Sequence, residues 1–145
     1  MISQGQCNIF KQNCLSRLEN FAAGTTYVYK IALYTSLANL TPDTTIYSTT
    51  GELPLAGGYV PGGKILTVSQ VPTYDASNDT AFINFANVTW NPASFTARAA
   101  LIYNSTTNAA VAVIDFGSDK TNTAAGTFTV TFPTATSTTA IIRFS

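Results

Sequence analysis

The chain has 145 residues, 46% of them hydrophobic and only 10% charged, with seven Lys and Arg against seven Asp and Glu and no histidine. Zero net charge without a basic cluster leaves no footprint for counterion-release binding to nucleic acid, and the missing histidine removes the commonest general base and zinc ligand. No apolar run reaches the roughly 18–20 residues of a membrane span.

At this length one domain is expected, with a core that needs no staples. We divide it into an N-terminal helical arm, residues 1–24, and a β domain, residues 25–145. No basic n-region with a following apolar run marks a signal peptide. Residues 3–21 read as one amphipathic helix. Ser3 and Gln6 fit a capping box. Cys7, Phe10, Cys14, Leu18 and Phe21 form one stripe at spacings of three and four, and Gly24 is the expected stop. Cys7 and Cys14 lie two turns apart on that helix, about 10.5 Å. That is beyond the roughly 7 Å of a disulfide, so they do not bridge each other. Burial as small apolar groups and a bond to another chain both remain open.

From residue 27 onward the pattern is β. Residues 27–35 alternate, with Tyr29, Ile31 and Leu33 on one face. Residues 39–45 read as a loop and 46–49 as a short strand at most. Residues 51–63 hold two Gly-Gly pairs and two prolines, the longest irregular stretch. Long ordered loops tend to carry function. Residues 64–71 read as a strand closed by Pro72, 74–80 as a polar turn, and 81–85 as a strand. Trp90 and Pro92 fall in a connection. Residues 95–103 and 109–116 form the central hairpin across a polar turn, 104–108. Its second arm is apolar on both faces, which implies a covering layer. Residues 117–126 read as a polar loop, and 126–132 alternate Phe and Val against Thr. Residues 140–144 close the chain as a strand. About seven or eight strands at short spacing predict an all-β antiparallel sandwich or barrel with one N-terminal helix.

Chemical motifs fail on inspection. Residues 58–64 approach the phosphate-loop pattern, but Ile65 stands where a hydroxyl is required and a strand follows instead of a helix. Residues 75–79 resemble the start of a calcium loop, yet Thr80 and Ala86 replace its glycine and glutamate. Asp115-Phe116-Gly117 matches a kinase triplet without its partner motifs. Asp115 and Asp119 beside Lys120 suit a local ion pair or turn bond. Asp115 and Glu52 could serve as a glycosidase pair only if the fold brought them together. Four Asn-x-Thr patterns, at Asn39, Asn78, Asn87 and Asn104, are expected by chance in so Asn- and Thr-rich a chain. No cofactor and no metal are expected. Tyr27, Tyr34, Tyr47, Tyr59 and Tyr74 fall near loops or strand ends. There an aromatic can serve the core rim, a sugar platform or a subunit interface.

Several segments together resemble small virion structural proteins of tailed bacteriophages. They are Lys30-Ile-Ala-Leu-Tyr-Thr-Ser36, Gly57-Gly-Tyr59, Gly62-Gly-Lys64, Phe95-Thr-Ala-Arg-Ala-Ala-Leu-Ile-Tyr-Asn104, Ala112-Val-Ile-Asp-Phe-Gly-Ser-Asp-Lys120 and Gly126-Thr-Phe-Thr-Val-Thr-Phe-Pro133. The resemblance implies a non-enzymatic virion protein, made in the host cytoplasm, with the capsid decoration (cement) type the most similar. It implies the major capsid protein as partner and a homo-oligomer, a trimer by preference. Candidate contacts are Cys7, Phe10, Cys14, Leu18, Tyr59 and Tyr74. A tail, neck or baseplate component is the alternative within the class. A carbohydrate-binding or adhesin domain is the alternative outside it.

Overall fold

The computed structural model describes residues 1–145. It is an all-β antiparallel sandwich with one short helix. The elements in chain order are β1 (Gly5–Gln6), α1 (Asn8–Leu15), β2 (Tyr29–Tyr34), β3 (Lys64–Ile65), β4 (Val68–Asp75), β5 (Thr80–Phe85), β6 (Val88–Ala93), β7 (Thr96–Asn104), β8 (Ala109–Thr121), β9 (Gly126–Val130) and β10 (Ile142–Phe144). Ten strands replace the expected seven or eight, because β1 and β6 were not expected and the expected strand 64–71 divides into β3 and the start of β4.

The main sheet runs β1-β8-β7-β2-β3, and two smaller sheets, β10-β5-β4 and β6-β9, accompany it. The predicted hairpin is its centre: β7 and β8 pair from Asn104↔Ala109 to Thr96↔Thr121. The start of β8, Ala109 to Val113, is buried throughout. Its apolar run on both faces therefore reported a covered strand, as a two-layer fold requires. On one side of β2, Tyr29 stacks on Phe21 at 4.3 Å and tilts against Phe85 of β5 at 6.3 Å. On the other, Tyr47 stacks on Tyr103 at 4.4 Å, and the Tyr34 hydroxyl donates to the Ser48 carbonyl at 2.6 Å. One layer is thus a small sheet and the other the chain between β2 and β3. The buried side chains merge into one core.

The structure corrects several boundaries. The helix is eight residues rather than nineteen. Residues 2–6 extend instead: Ile2 bridges Leu40, and Gly5 and Gln6 pair with Val113 and Ala112 at the edge of β8. An unpaired sheet edge outcompetes a marginal helical turn, because it satisfies both partners' backbone groups. The Ser3–Gln6 capping box therefore does not form. Cys7 occupies the N-cap without a side-chain cap bond. The stop is Arg17, not Gly24. Arg17 takes φ +58°, its N–H bonds the Cys14 carbonyl, and the Leu18 N–H reaches the Asn13 carbonyl. That pair of bonds is a Schellman closure with a left-handed residue other than glycine.

Pro72 lies inside β4 rather than closing it. β4 is an edge strand whose register shifts twice before Thr73, which is where a sheet tolerates proline. Trp90 and Pro92 belong to β6, not to a connection. β8 runs on to Thr121 through Gly117 at φ +77°, so the expected loop 117–126 shrinks to 122–125.

Candidate assembly surface

The longest irregular stretch is held from inside by a carboxylate. Glu52 is only 9% exposed. Its Oε1 accepts from the Tyr59 hydroxyl and the Gly62 N–H, both at 2.6 Å, and its Oε2 accepts from the Tyr47 hydroxyl at 2.6 Å. Tyr59 in turn accepts the Leu33 N–H at 2.9 Å, and Tyr103 donates to the Gly62 carbonyl at 2.8 Å. One charge therefore ties three points of the loop to each other and, through Tyr59, to β2. Burial first, and then the neighbouring Glu52 carboxylate, push the Tyr103 hydroxyl up to about 12. The same causes raise Tyr47, and burial with the hydrogen bond to Glu52 raises Tyr59 still further. These phenols stay protonated, as donors to the Glu52 carboxylate and, for Tyr103, to the Gly62 carbonyl must.

The chain was built to allow this path. Gly57, Gly58, Gly62 and Gly63 all take positive φ, where glycine carries no Cβ penalty. At Gly63 no side chain could enter, since a Cβ would collide with the Ile31 carbonyl.

A second carboxylate repeats the device at the other end of β2. Glu19 Oε2 accepts from the Tyr29 hydroxyl at 2.8 Å and from Asn104 Nδ2 at 3.0 Å. It fastens the segment after α1 to the central hairpin. Asp115 pairs with Arg98 across β7 and β8 at 3.1 Å and caps the Gly117 N–H at 2.8 Å, so the expected turn bond forms. Lys120 instead bonds Ser118. Glu52 and Asp115 are each committed to separate partners, and the fold does not join them as a hydrolytic pair. No three of Cys, Asp and Glu converge into a group that could hold a metal ion. No helix is long and apolar enough to cross a membrane.

The six candidate contact residues divide. Cys7, Phe10 and Tyr59 are fully buried, which corrects their assignment to an interface. Cys7 sits at the helix start with its N–H on the Val111 carbonyl at 2.8 Å. Phe10 packs at 6.0 Å from both Phe21 and Phe144. Tyr59 is the inner ligand of Glu52. Cys14, Leu18 and Tyr74 remain outside or at the rim, and both cysteines are free thiols. Cys14 and Tyr74 come together, although sixty residues separate them in sequence. With Phe21, Phe82, Ile142 and Phe144 they line an apolar groove of about 300 Å³.

Of the strongly exposed groups, the sequence reading named Tyr74, 78% exposed, but not Leu15 and Leu37, each 90% exposed, nor Leu55 at 73%. Leu55 lies inside the loop that Glu52 anchors. Leu15 lies off the expected apolar stripe and projects from the last residue of the helix. Leu37 falls between the predicted strand 27–35 and the predicted loop 39–45, and the only signal for Leu55 was an apolar residue inside the irregular stretch 51–63.

The chain matches no protein-family model, no curated protein and no solved structure.

Proposed function

We propose that this chain is a non-enzymatic structural protein of tailed-phage particles, of the capsid decoration type. On this reading it binds the outer head shell, in trimers, and stabilises it through repeated contacts with the major capsid protein. The observation that carries the proposal is the distribution of polarity. Its Glu19, Glu52 and Asp115 carboxylates are bound to internal partners, while Leu15, Leu37, Leu55 and Tyr74 stand in solvent. Single exposed apolar residues are ordinary. Several held on anchored backbone, with few charges nearby, suit a surface that is covered in use. A tail, neck or baseplate position would use the same surface.

The glycan reading asks for a row of exposed aromatic faces. The large aromatics left well exposed are Tyr74 and Phe144, too few for a row, and this supports assembly over sugar binding.

Peptide mass spectrometry on purified particles, separated into heads and detached tails, tests the proposal. Recovery in heads at a copy number near that of the shell protein is the expected result. Confinement to tails at low copy number would replace decoration with the neck or baseplate role, and absence from both fractions would overturn the virion reading.

A further inference from the structure

β8 and β9 follow one another through the short turn 122–125, yet they do not pair. β8 is bound to β7, and β9 only to β6. The two strands therefore splay apart, and a groove of about 550 Å³ opens between them. Its wall is β9 and the residues that follow it. Residues 127–133 line it without a gap. A strand's face would contribute every second residue, so an unbroken run means that the strand presents its edge.

The local pairing says which backbone groups that edge offers. The Thr89 and Thr129 hydroxyls lie 2.9 Å apart, the close side-chain approach of a non-hydrogen-bonded pair. The Phe132 N–H turns the other way, onto Asn87 Oδ1 at 2.8 Å. Alternation along the strand then points the N–H and C=O of Thr129 away from β6 and into the groove. Nothing in β9 defends that edge: it has no proline, no charge and no bulge of its own.

The rest of the lining sets apolar Ile114 and Phe116 of β8 and Ile141, just before β10, beside polar Gln4, Lys120 and Asn122. A strand laid along β9 would add a third member to the two-stranded sheet and cover Ile114 and Phe116. Lys120 is the one ion in the lining. It forms no ion pair, and its Nζ donates only to Ser118 Oγ at 3.0 Å.

We infer that the free edge of β9 takes an extended segment of a partner polypeptide. Alternate side chains of that segment are apolar and rest on Ile114 and Phe116, and a carboxylate meets Lys120. Main-chain pairing supplies the affinity and these two side chains supply the register, as in other strand additions. Residues 127–131 would pair with about five residues, a span of about 17 Å, since the Phe132 N–H and the Pro133 carbonyl are already bonded to Asn87 and Asn84. The inference does not depend on the partner being a shell protein.

The test uses the full chain and two fluorescein-labelled synthetic heptapeptides of alternating valine and threonine, one with an N-terminal and one with a C-terminal aspartate. Saturable binding of at least one is expected. Lysine in place of the aspartate, or K120E in the protein, should weaken it about tenfold, and the Thr129 amide should exchange more slowly in the complex. T129P removes an outward N–H on an edge, where proline is tolerated. It should abolish binding with only a small fall in melting temperature, from the lost Thr89–Thr129 hydroxyl bond; if T129P does not fold, K120E decides. Three results would overturn the inference. One is no saturation by either aspartate peptide. Another is binding indifferent to the substitutions. The third is protection of Thr129 that rises with protein concentration alone, which would make the occupant a second copy.

Discussion

Replacing Glu52 tests whether one buried charge organises the chain between β2 and β3. In E52A the Tyr59 hydroxyl and the Gly62 N–H lose their acceptor inside the protein. The Tyr47 hydroxyl, on a half-buried ring, can turn to water. Two stranded donors at about 1–3 kcal/mol each give a loss of about 4 kcal/mol. For a domain of this size that lowers the melting temperature by about 8–16 °C. E52Q keeps one acceptor oxygen but turns an amide donor toward a hydroxyl donor, so a loss of about 2 kcal/mol is expected. Y47F should cost less than Y59F, because Tyr59 also accepts the Leu33 N–H. Urea titrations of the four variants give these differences directly. A cycle of E52Q with Y59F should show coupling of about 1 kcal/mol or more, since the two groups share one bond. Limited proteolysis should locate new cleavage within 51–63 in E52A. An E52Q variant within 0.5 kcal/mol of the parent, with additive behaviour toward Y59F, would refute the anchoring role.

Three further outcomes are expected. The Asp75 carboxyl lies below its ordinary value of 3.8, held there by the Ser137 hydroxyl, Asn78 and the Ser77 N–H. A depressed folded value means that its stabilisation is complete above about pH 4. That stabilisation fades as pH falls through the folded value. D75N should therefore melt with a flatter pH profile below pH 4 than the parent, and parallel profiles would refute the assignment. Burial pushes the Cys7 and Cys14 thiols up to about 11, so about one in a thousand is thiolate at pH 8. Both should react slowly with an aromatic disulfide reagent, Cys7 the slower because it is fully enclosed, and labelling of Cys7 at the rate of a free thiol would contradict its burial. G63A places a Cβ against the Ile31 carbonyl at φ +70° and should prevent accumulation of folded protein, whereas G24A, with open space around it, should stay folded with only the cost of its left-handed φ.

What could be read in the sequence was what neighbours along the chain decide. The hairpin was legible because β7 alternates and the start of β8 is apolar on both faces, and both patterns report burial directly. The same holds for β9, whose Phe and Val alternate against Thr. The ends of α1 were not legible. Residues 2–6 carry an acceptable capping sequence, and only a β8 edge one hundred residues away draws them out of the helix. β4 was cut short and β6 was read as a connection for a related reason. Proline stops a strand by default, and only the register shifts with their neighbours show that these two tolerate it. The Glu52 anchor had a partial signal in the four glycines around it. The sequence offered the acid only as half of a possible hydrolytic pair, because its donors, Tyr47, Tyr59 and Gly62, are gathered by the path of the loop and not by spacing. Tyr59 was misplaced at the surface on the same account. The groove beside β9 was invisible, since it follows from which strands fail to pair.

The arrangement has a consequence for how such a surface would act. A surface with few charges puts little electrostatic repulsion between approaching neutral partners. Each exposed leucine or valine that becomes covered contributes about 1.5–3 kcal/mol at full burial, before the losses of translational and rotational freedom that any association carries. Leu15, Leu37, Leu55 and Val60 sit on different segments of the chain, and one such contact alone would be too weak to hold a partner. Repetition changes the balance. Once a first contact is made on a lattice of identical neighbours, the next is intramolecular, and modest contacts compound into a durable hold. That requires the projecting residues to be held in place beforehand, or ordering them would consume the gain. Glu52 does this for the loop that carries Leu55 and Val60, and Glu19 fastens the segment following the helix that ends in Leu15. On the proposed role, Glu52 and Glu19 would be the fixings that hold a sparsely charged surface rigid enough to assemble.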